Sequence, residues 1–173
     1  MEEIILKKLS VIKTSVNVEL LNIINQYVKE HGDKFKSRKW NCNSATSHNL
    51  CHNILHDVIE FKNVREAIHE QLAIYFEAVQ KRSIPFLINE SWINIIDKWG
   101  YQEFHEHSPA FVAGVLYISE QNSDIEFATF PSSSKTLITP KKGDLLFFEG
   151  NVFHRVIDSD KKRISLAFNI YAP

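Results

Sequence analysis

Several protein classes are excluded by what this sequence lacks. It holds two cysteines, Cys42 and Cys51, in 173 residues, too few for a disulfide scaffold, and in a reducing compartment both stay thiols. Neither sign of charge is in excess, with 20 basic residues against 21 acidic. The chain therefore carries no electrostatic footprint for nucleic acid or an anionic membrane surface. The short basic run "KFKSRKW" reads as a solvated loop. No uninterrupted apolar stretch is long enough to span a bilayer, so no membrane partner is expected. At the N-terminus, "MEEIILKKLS" has acidic residues where a secretory signal carries positive charge, which points to the cytoplasm. There are no repeats and no low-complexity segments.

What is present is ordinary globular material, 44% hydrophobic and 24% charged, of a length that fits one domain with a sizeable core. The texture changes near residue 82. Before it the pattern is helical. "SVNVELLNIINQYVKEHG" has a cap at Ser15 or Asn17, ends at Gly32, and places Leu20, Leu21, Ile24, Tyr27 and Val28 at helical spacing. "NVREAIHEQLAIYFEAVQKR" sets Val64, Ile68, Leu72, Ile74, Tyr75 and Val79 on or near one face. Between them, "RKWNCNSATSHNLCHNILHDVIEF" is polar first and helical later. After Pro85 come short runs rich in Ile, Val, Phe and Tyr, bounded by turn residues at a spacing of roughly ten. The expected fold is mainly β with N-terminal helices (α+β). Residues 1–82 form a helical support layer and 83–173 a β-sandwich, within a single domain because either half alone is small for a core.

The polar residues that carry chemistry start with "QEFHEH". Side chains two apart on a strand share a face, so His105 and His107 converge if this stretch is extended, and Glu106 points away. An H-x-H pair alone is weak evidence: satisfied or solvated histidines are the commoner reading and a metal site the rarer one. A third histidine, His154, lies in "DLLFFEGNVFHRVID", and Arg163 follows nine residues later. In "RISLAFN", Arg163, Ser165, Ala167 and Asn169 alternate with Ile164, Leu166, Phe168 and Ile170. An inward arginine on a sandwich strand needs an anionic partner, because a buried unpaired charge is costly. A dicarboxylate bound end-on would supply one through a bidentate fork.

With these residues in view, the stretch of roughly 88–171 resembles the Fe(II)/2-oxoglutarate-dependent dioxygenases, in the prolyl-hydroxylase-like branch common in bacteria and phages. The resemblance rests on "SWINIIDKWGYQEFHEHSPAFVAGVLYIS", then "GDLLFFEGNVFHRV", then "RISLAFN", in that order and at compatible spacings. It implies a double-stranded β-helix (a jelly roll, cupin-like) in the cytoplasm of a bacterium or a phage-infected host. Carried over, His105 and His154 are iron ligands, and Arg163 with Ser165 grips the far carboxylate of 2-oxoglutarate. Tyr117 shares that carboxylate, and Asn94 is a weaker candidate for the cosubstrate pocket. The implied cofactors are Fe(II), 2-oxoglutarate and O2. The implied reaction hydroxylates a C–H bond of a small-molecule or peptidyl substrate with release of succinate and carbon dioxide. A homo-oligomer stays open.

The sequence departs from the superfamily pattern at His107, which stands where a carboxylate is usual. An H-x-H is usual in this branch, so the expected site has three histidines: His105, His107 and His154. Three neutral ligands leave the metal more net positive charge and alter its redox poise. Two other classes compete: a cupin-like three-histidine metalloprotein that needs no cosubstrate, and a non-catalytic binding sandwich. Neither requires the anion clamp at Arg163 and Ser165. Elsewhere, His31, His48, His52, His56 and His69 read as polar faces. A zinc site from His52, His56, Cys51 and Cys42 lacks C-x-x-C spacing. Trp40, Trp92 and Trp99 read as core or pocket wall, with Trp99, Gly100 and Tyr101 candidates for a substrate entrance. "NSATSHN" reads as a lid or an idle connection.

Overall fold

The change of texture near residue 82 separates helices from strands less cleanly than the periodicity suggests. In a computed structural model that describes residues 11–38, 43–80, 85–120, 122–128 and 135–171, the first half contributes three strands as well as helices. In chain order the elements are β1 (Val11–Ser15), α1 (Leu21–His31), β2 (Lys36–Arg38), β3 (Ser44–Thr46), α2 (Ile54–Asp57) and α3 (Lys62–Gln80). Then follow β4 (Glu90–Ile96), β5 (Gln102–His105), β6 (Val112–Tyr117), β7 (Ile125–Ala128), β8 (Lys135–Ile138), β9 (Asp144–Glu149), β10 (Phe153–Val156) and β11 (Arg163–Ile170). They form a seven-stranded antiparallel sheet in the order β1-β9-β6-β11-β4-β3-β2 and a four-stranded antiparallel sheet β5-β10-β7-β8. The helical layer is thus corrected: β1 closes one edge of the large sheet, and β2 and β3 extend the other.

The large sheet is covered on both faces, which is why its central strands read as continuous apolar runs rather than alternating ones. Along β6, Val112 and Leu116 join the core with the helices, while Ala113, Val115 and Tyr117 face the small sheet. Along β9, Leu145 and Phe147 take the helical side, and Leu146 and Phe148 the other. β11 obeys the same rule with different chemistry. Leu166, Phe168 and Ile170 pack against the helices, and Arg163, Ser165 and Asn169 turn their polar groups to the interior between the sheets.

The helices supply the matching apolar stripe. On α3, Val64, Ile68, Leu72 and Tyr75 are buried at steps of four, four and three, the helical repeat. Ile74 is 59% exposed; it falls off that stripe, and its expected place on the buried face is corrected. The Val79 side chain lies outside the described residues. On α1, Leu21 and Ile24 are buried, with Tyr27 and Val28 packed beside them. Each fully buried Leu, Ile or Phe of this layer contributes about 1.5–3 kcal/mol of transfer free energy. Asn17, not Ser15, is the cap, of the 3-10 turn Val18–Leu20 that leads into α1: its side chain accepts the Glu19 N–H at 2.9 Å, while Ser15 ends β1.

"NSATSHN" is neither lid nor idle connection. Ser44–Thr46 is β3, paired with β4, and the Ser47 hydroxyl accepts the Ile93 N–H at 2.9 Å. The basic run is likewise not a loop where it is described. Lys36–Arg38 is the outermost strand of the sheet, an edge where lysine opposes further strand pairing. Trp40 and Cys42 lie outside the described residues.

Candidate functional site

β5 and β10 are neighbours in the small sheet with His105 directly opposite His154. Their ring centroids are 4.3 Å apart. β5 ends at His105, and the chain then turns, but His107 still reaches the pair because its main-chain N–H donates to the Gly150 carbonyl at 2.7 Å. Gly150 is required there: a Cβ on it would lie 1.9 Å from the Ala110 carbonyl oxygen. The His107 ring stacks on His154 at 5.1 Å. One nitrogen from each of the three rings lies within 4.8 Å of the others, a grouping able to hold a metal ion.

Two of the imidazoles have a fixed orientation. The Nδ1 of His105 is 2.8 Å from the Glu103 carbonyl and that of His154 is 3.0 Å from the Val152 carbonyl. A carbonyl oxygen can only accept, so each Nδ1 carries the proton and each Nε2 presents its lone pair. Burial, and then the neighbouring imidazoles His105 and His107, pull the His154 pKa well below the ordinary histidine value. Burial and the nearby His105 push His107 down to about 4. Both are neutral at pH 7, the form that ligates metals.

Along β4 and β11 the cavity changes character. Ser165 pairs with Asn94 on one side and Tyr117 on the other, so these three stand in a row across the sheet. Arg163 is one step further, buried at 3% exposure. Its Nη2 donates to the Tyr117 hydroxyl at 3.4 Å, and its guanidinium lies 4.7 Å over the Tyr117 ring. Nε and Nη1 have no acceptor among the described residues. Burial lowers the Arg163 pKa against the favourable Tyr117 contact, yet guanidinium stays charged in proteins. Two buried, unpaired donors of a fixed cation on a residue that lines a cavity are a grouping able to take an anion.

Together these groups line one cavity of ≈ 590 Å³, ample for a metal, a small dicarboxylate and part of a substrate. Of the sequence-selected residues, His105, His107, His154, Arg163, Ser165 and Asn94 all line it. Tyr117 is buried behind Arg163. Glu106 also reaches the lining, accepting the Ser108 hydroxyl at 2.6 Å; strand alternation stops at His105, so it does not point fully away. Trp92 forms pocket wall as expected. Trp99 does not: it is 65% exposed at a positive φ of 61°, and neither it nor Gly100 or Tyr101 lines the cavity. No zinc grouping forms around His52 and His56 among the described residues; Cys51 instead donates to Asp57.

Sequence reading does not select five polar lining residues, Ser44, His48, Glu90, Gln102 and Asn169. Glu90 was legible in principle, since it alternates with Trp92 and Asn94 on β4, and Asn169 alternates with Arg163 on β11. His48 gave no periodic signal because it sits in a 3-10 turn, Ser47–Asn49.

No protein-family model matches the sequence, and no curated protein is similar to it. Solved structures are another matter. A prolyl-4-hydroxylase from Pseudomonas putida superposes with a TM-score of 0.73 at 12% identity, covering 94% of this chain and 93% of the other. A viral collagen prolyl hydroxylase from Paramecium Bursaria Chlorella virus-1, solved as a 2OG complex, matches at TM-score 0.65 and 13% identity over 94% and 96%. A 2OG-Fe(II) oxygenase family oxidoreductase from Burkholderia pseudomallei matches at 0.68 and 10% over 93% and 84%. This is the fold of the 2OG-Fe(II) oxygenases, in its prolyl-hydroxylase-like form. At such identities the likeness is one of fold, and chemistry has to be read from the residues themselves.

Proposed function

We propose that the protein is an Fe(II)- and 2-oxoglutarate-dependent oxygenase that hydroxylates a C–H bond. In this reading the two sheets are the halves of a double-stranded β-helix, and residues 1–173 act as one oxygenase domain. The observation that carries the proposal is Arg163, whose buried Nε and Nη1 have no acceptor among the described residues, at the end of a cavity that also holds three converging histidines. Iron(II) would be held by His105, His107 and His154 through imidazole nitrogens. When bound, it supplies oxygen activation coupled to decarboxylation of 2-oxoglutarate, so that R–H, O2 and 2-oxoglutarate yield R–OH, succinate and carbon dioxide.

The chain's own residues do the positioning. Arg163 has its Nε–H and Nη1–H on different edges of the guanidinium, neither with an acceptor among the described residues, and either pairs with an Nη2–H to make the two-point fork that matches a carboxylate. Ser165 and Asn94, one row nearer the histidines, add a hydroxyl and an amide. Tyr117 accepts from Arg163 Nη2 and so orients the guanidinium; burial raises its pKa, and it stays a neutral phenol. Three neutral imidazoles leave the two positive charges of iron uncompensated, and a dianionic cosubstrate fits that better than a neutral one. A cupin-like site without cosubstrate gives no role to the buried arginine.

The test is anaerobic calorimetric titration of 2-oxoglutarate into protein loaded with Fe(II), followed by succinate release on admitting oxygen. Saturable binding that is lost in Arg163→Ala is expected. Absence of binding in the unaltered protein would overturn the proposal.

A further inference from the structure

The interior face of β4 and β11 runs on past the anion end, to a second polar cluster that iron and 2-oxoglutarate do not use. On β11, Asn169 is six residues from Arg163, roughly 20 Å along an extended strand. Its cross-strand partner is Glu90, at the start of β4. The next row inward is Ala167 with Trp92, and the Trp92 ring lies 5.9 Å from His107. The three histidines therefore stand between two chemically opposite ends: a buried cation at one, a carboxylate at the other.

The carboxylate end is built from acceptors. Glu90 Oε2 accepts from Asn169 Nδ2 and from the Tyr171 hydroxyl, each at 2.9 Å. Its other oxygen has a loose contact with His52 Nε2, at 3.5 Å and with the histidine side chain 65% exposed. The Asn169 amide cannot be turned around, because its oxygen would then face a carboxylate. Its Oδ1 is thus the atom left over on a residue that lines the cavity, buried with no donor among the described residues; the residue is 5% exposed. Burial works against ionisation of Glu90, but the bonds from Asn169 and Tyr171 and the nearby His52 and His48 hold its pKa below the ordinary carboxyl value. A committed carboxylate and an orphaned buried carbonyl line the same end of the same cavity. A ligand with no donor leaves the buried Asn169 Oδ1 unpaired, at the cost that such groups carry, and an anionic one also meets the negative charge of Glu90.

We propose that this end of the cavity binds a protonated amine, and that the molecule oxidised is therefore an amine, either free or on a basic side chain. The ammonium donates to Glu90 and to Asn169 Oδ1, and its carbon chain runs along Trp92 toward the histidines. This rests on the oxygenase reading only in placing the amine on the substrate; the cation site itself stands on Glu90 and Asn169.

Protein loaded with Mn(II) and 2-oxoglutarate is titrated with n-butylammonium, with Nα-acetyl-lysine N-methylamide, and with n-butanol and butyrate as neutral and anionic matches. Saturable binding of at least one ammonium probe, and of neither match, is expected. Binding of n-butylammonium alone identifies a free amine, and binding of the blocked lysine a peptidyl side chain. Glu90→Gln, which keeps the hydrogen-bonding shape, weakens ammonium binding tenfold or more, while Glu90→Asp, which keeps the charge, retains most of it. Equal affinity for n-butanol, preference for butyrate, or unchanged binding in Glu90→Gln overturns the proposal. The 2-oxoglutarate titration of Glu90→Gln stays at the unaltered value. If the unaltered protein fails to bind 2-oxoglutarate but still binds the ammonium, the oxygenase reading falls and the cation site remains.

Discussion

His105 and His154 face each other across β5 and β10, and each turns its Nδ1 back to the main-chain carbonyl two residues before it. The same local device thus aims two lone pairs at one point. His107 joins them from outside the strand, held by the Gly150 carbonyl. The arrangement seats two of the three imidazoles of the candidate metal site on adjacent strand ends, which favours precise geometry.

Metal binding is the first expectation. His105→Ala and His154→Ala should each lose most of their affinity for Fe(II) or Mn(II), measured by titration with a chelator competitor. His107→Asp should retain a metal, because it supplies the carboxylate usual at that position, whereas His107→Ala should bind more weakly. Unchanged affinity in His107→Ala would remove this residue from the ligand set.

The cosubstrate clamp predicts a graded series. Arg163→Lys keeps the charge and loses the planar fork, so 2-oxoglutarate should bind about 1.5–3 kcal/mol more weakly, the range for hydrogen bonds to charged groups. That is roughly a ten- to hundredfold change in Kd. Arg163→Ala should lose more, and Tyr117→Phe less, with metal affinity in the absence of 2-oxoglutarate near the unaltered value. Equal Kd values across the series would remove Arg163 from the site.

Acid should destabilise the metal-free protein earlier than its carboxylates require. The folded pKa values of His107 and His154 are depressed, so below the unfolded value of about 6.5 the unfolded chain binds more protons than the folded one. Stability contributed by these neutral imidazoles is complete above that pH. It is lost as pH falls through the window down to about 4, the folded value of His107. Urea midpoints measured across this range should fall with pH, and His107→Gln should flatten the slope. A flat profile in the unaltered protein would contradict the buried neutral state.

A core prediction checks the sheet register. Gly114 on β6 lies opposite Phe168 on β11, and a Cβ there would come within 2.2 Å of the Phe168 ring. Gly114→Ala should therefore destabilise by about 1–3 kcal/mol, as overpacking does. Chemical denaturation reads the loss, and an unchanged midpoint would mean that the ring sits elsewhere.

Much of this protein is written in local periodicity. The α3 stripe of Val64, Ile68, Leu72 and Tyr75, the apolar strands after Pro85, and the alternation that puts Arg163, Ser165 and Asn169 on one face follow from the helical and strand repeats alone. The strand repeat also marks His105 and His107 as a pair, but β5 ends at His105 and it is the bond from the His107 N–H to the Gly150 carbonyl that brings the second ring to the site. What the sequence could not determine is adjacency. Glu90 and Asn169 are 79 residues apart, and only the pairing of β4 with β11 makes them one acceptor cluster. The polar stretch at Ser44–Thr46 became a strand because β4 offers it an open edge. His48 reached the cavity through that same docking, and Trp99 was left outside by a turn of positive φ. Periodicity fixes which way a side chain points, because it depends on neighbours in the chain. Which groups it then meets depends on strand order, a tertiary choice set by burying both faces of the large sheet at once.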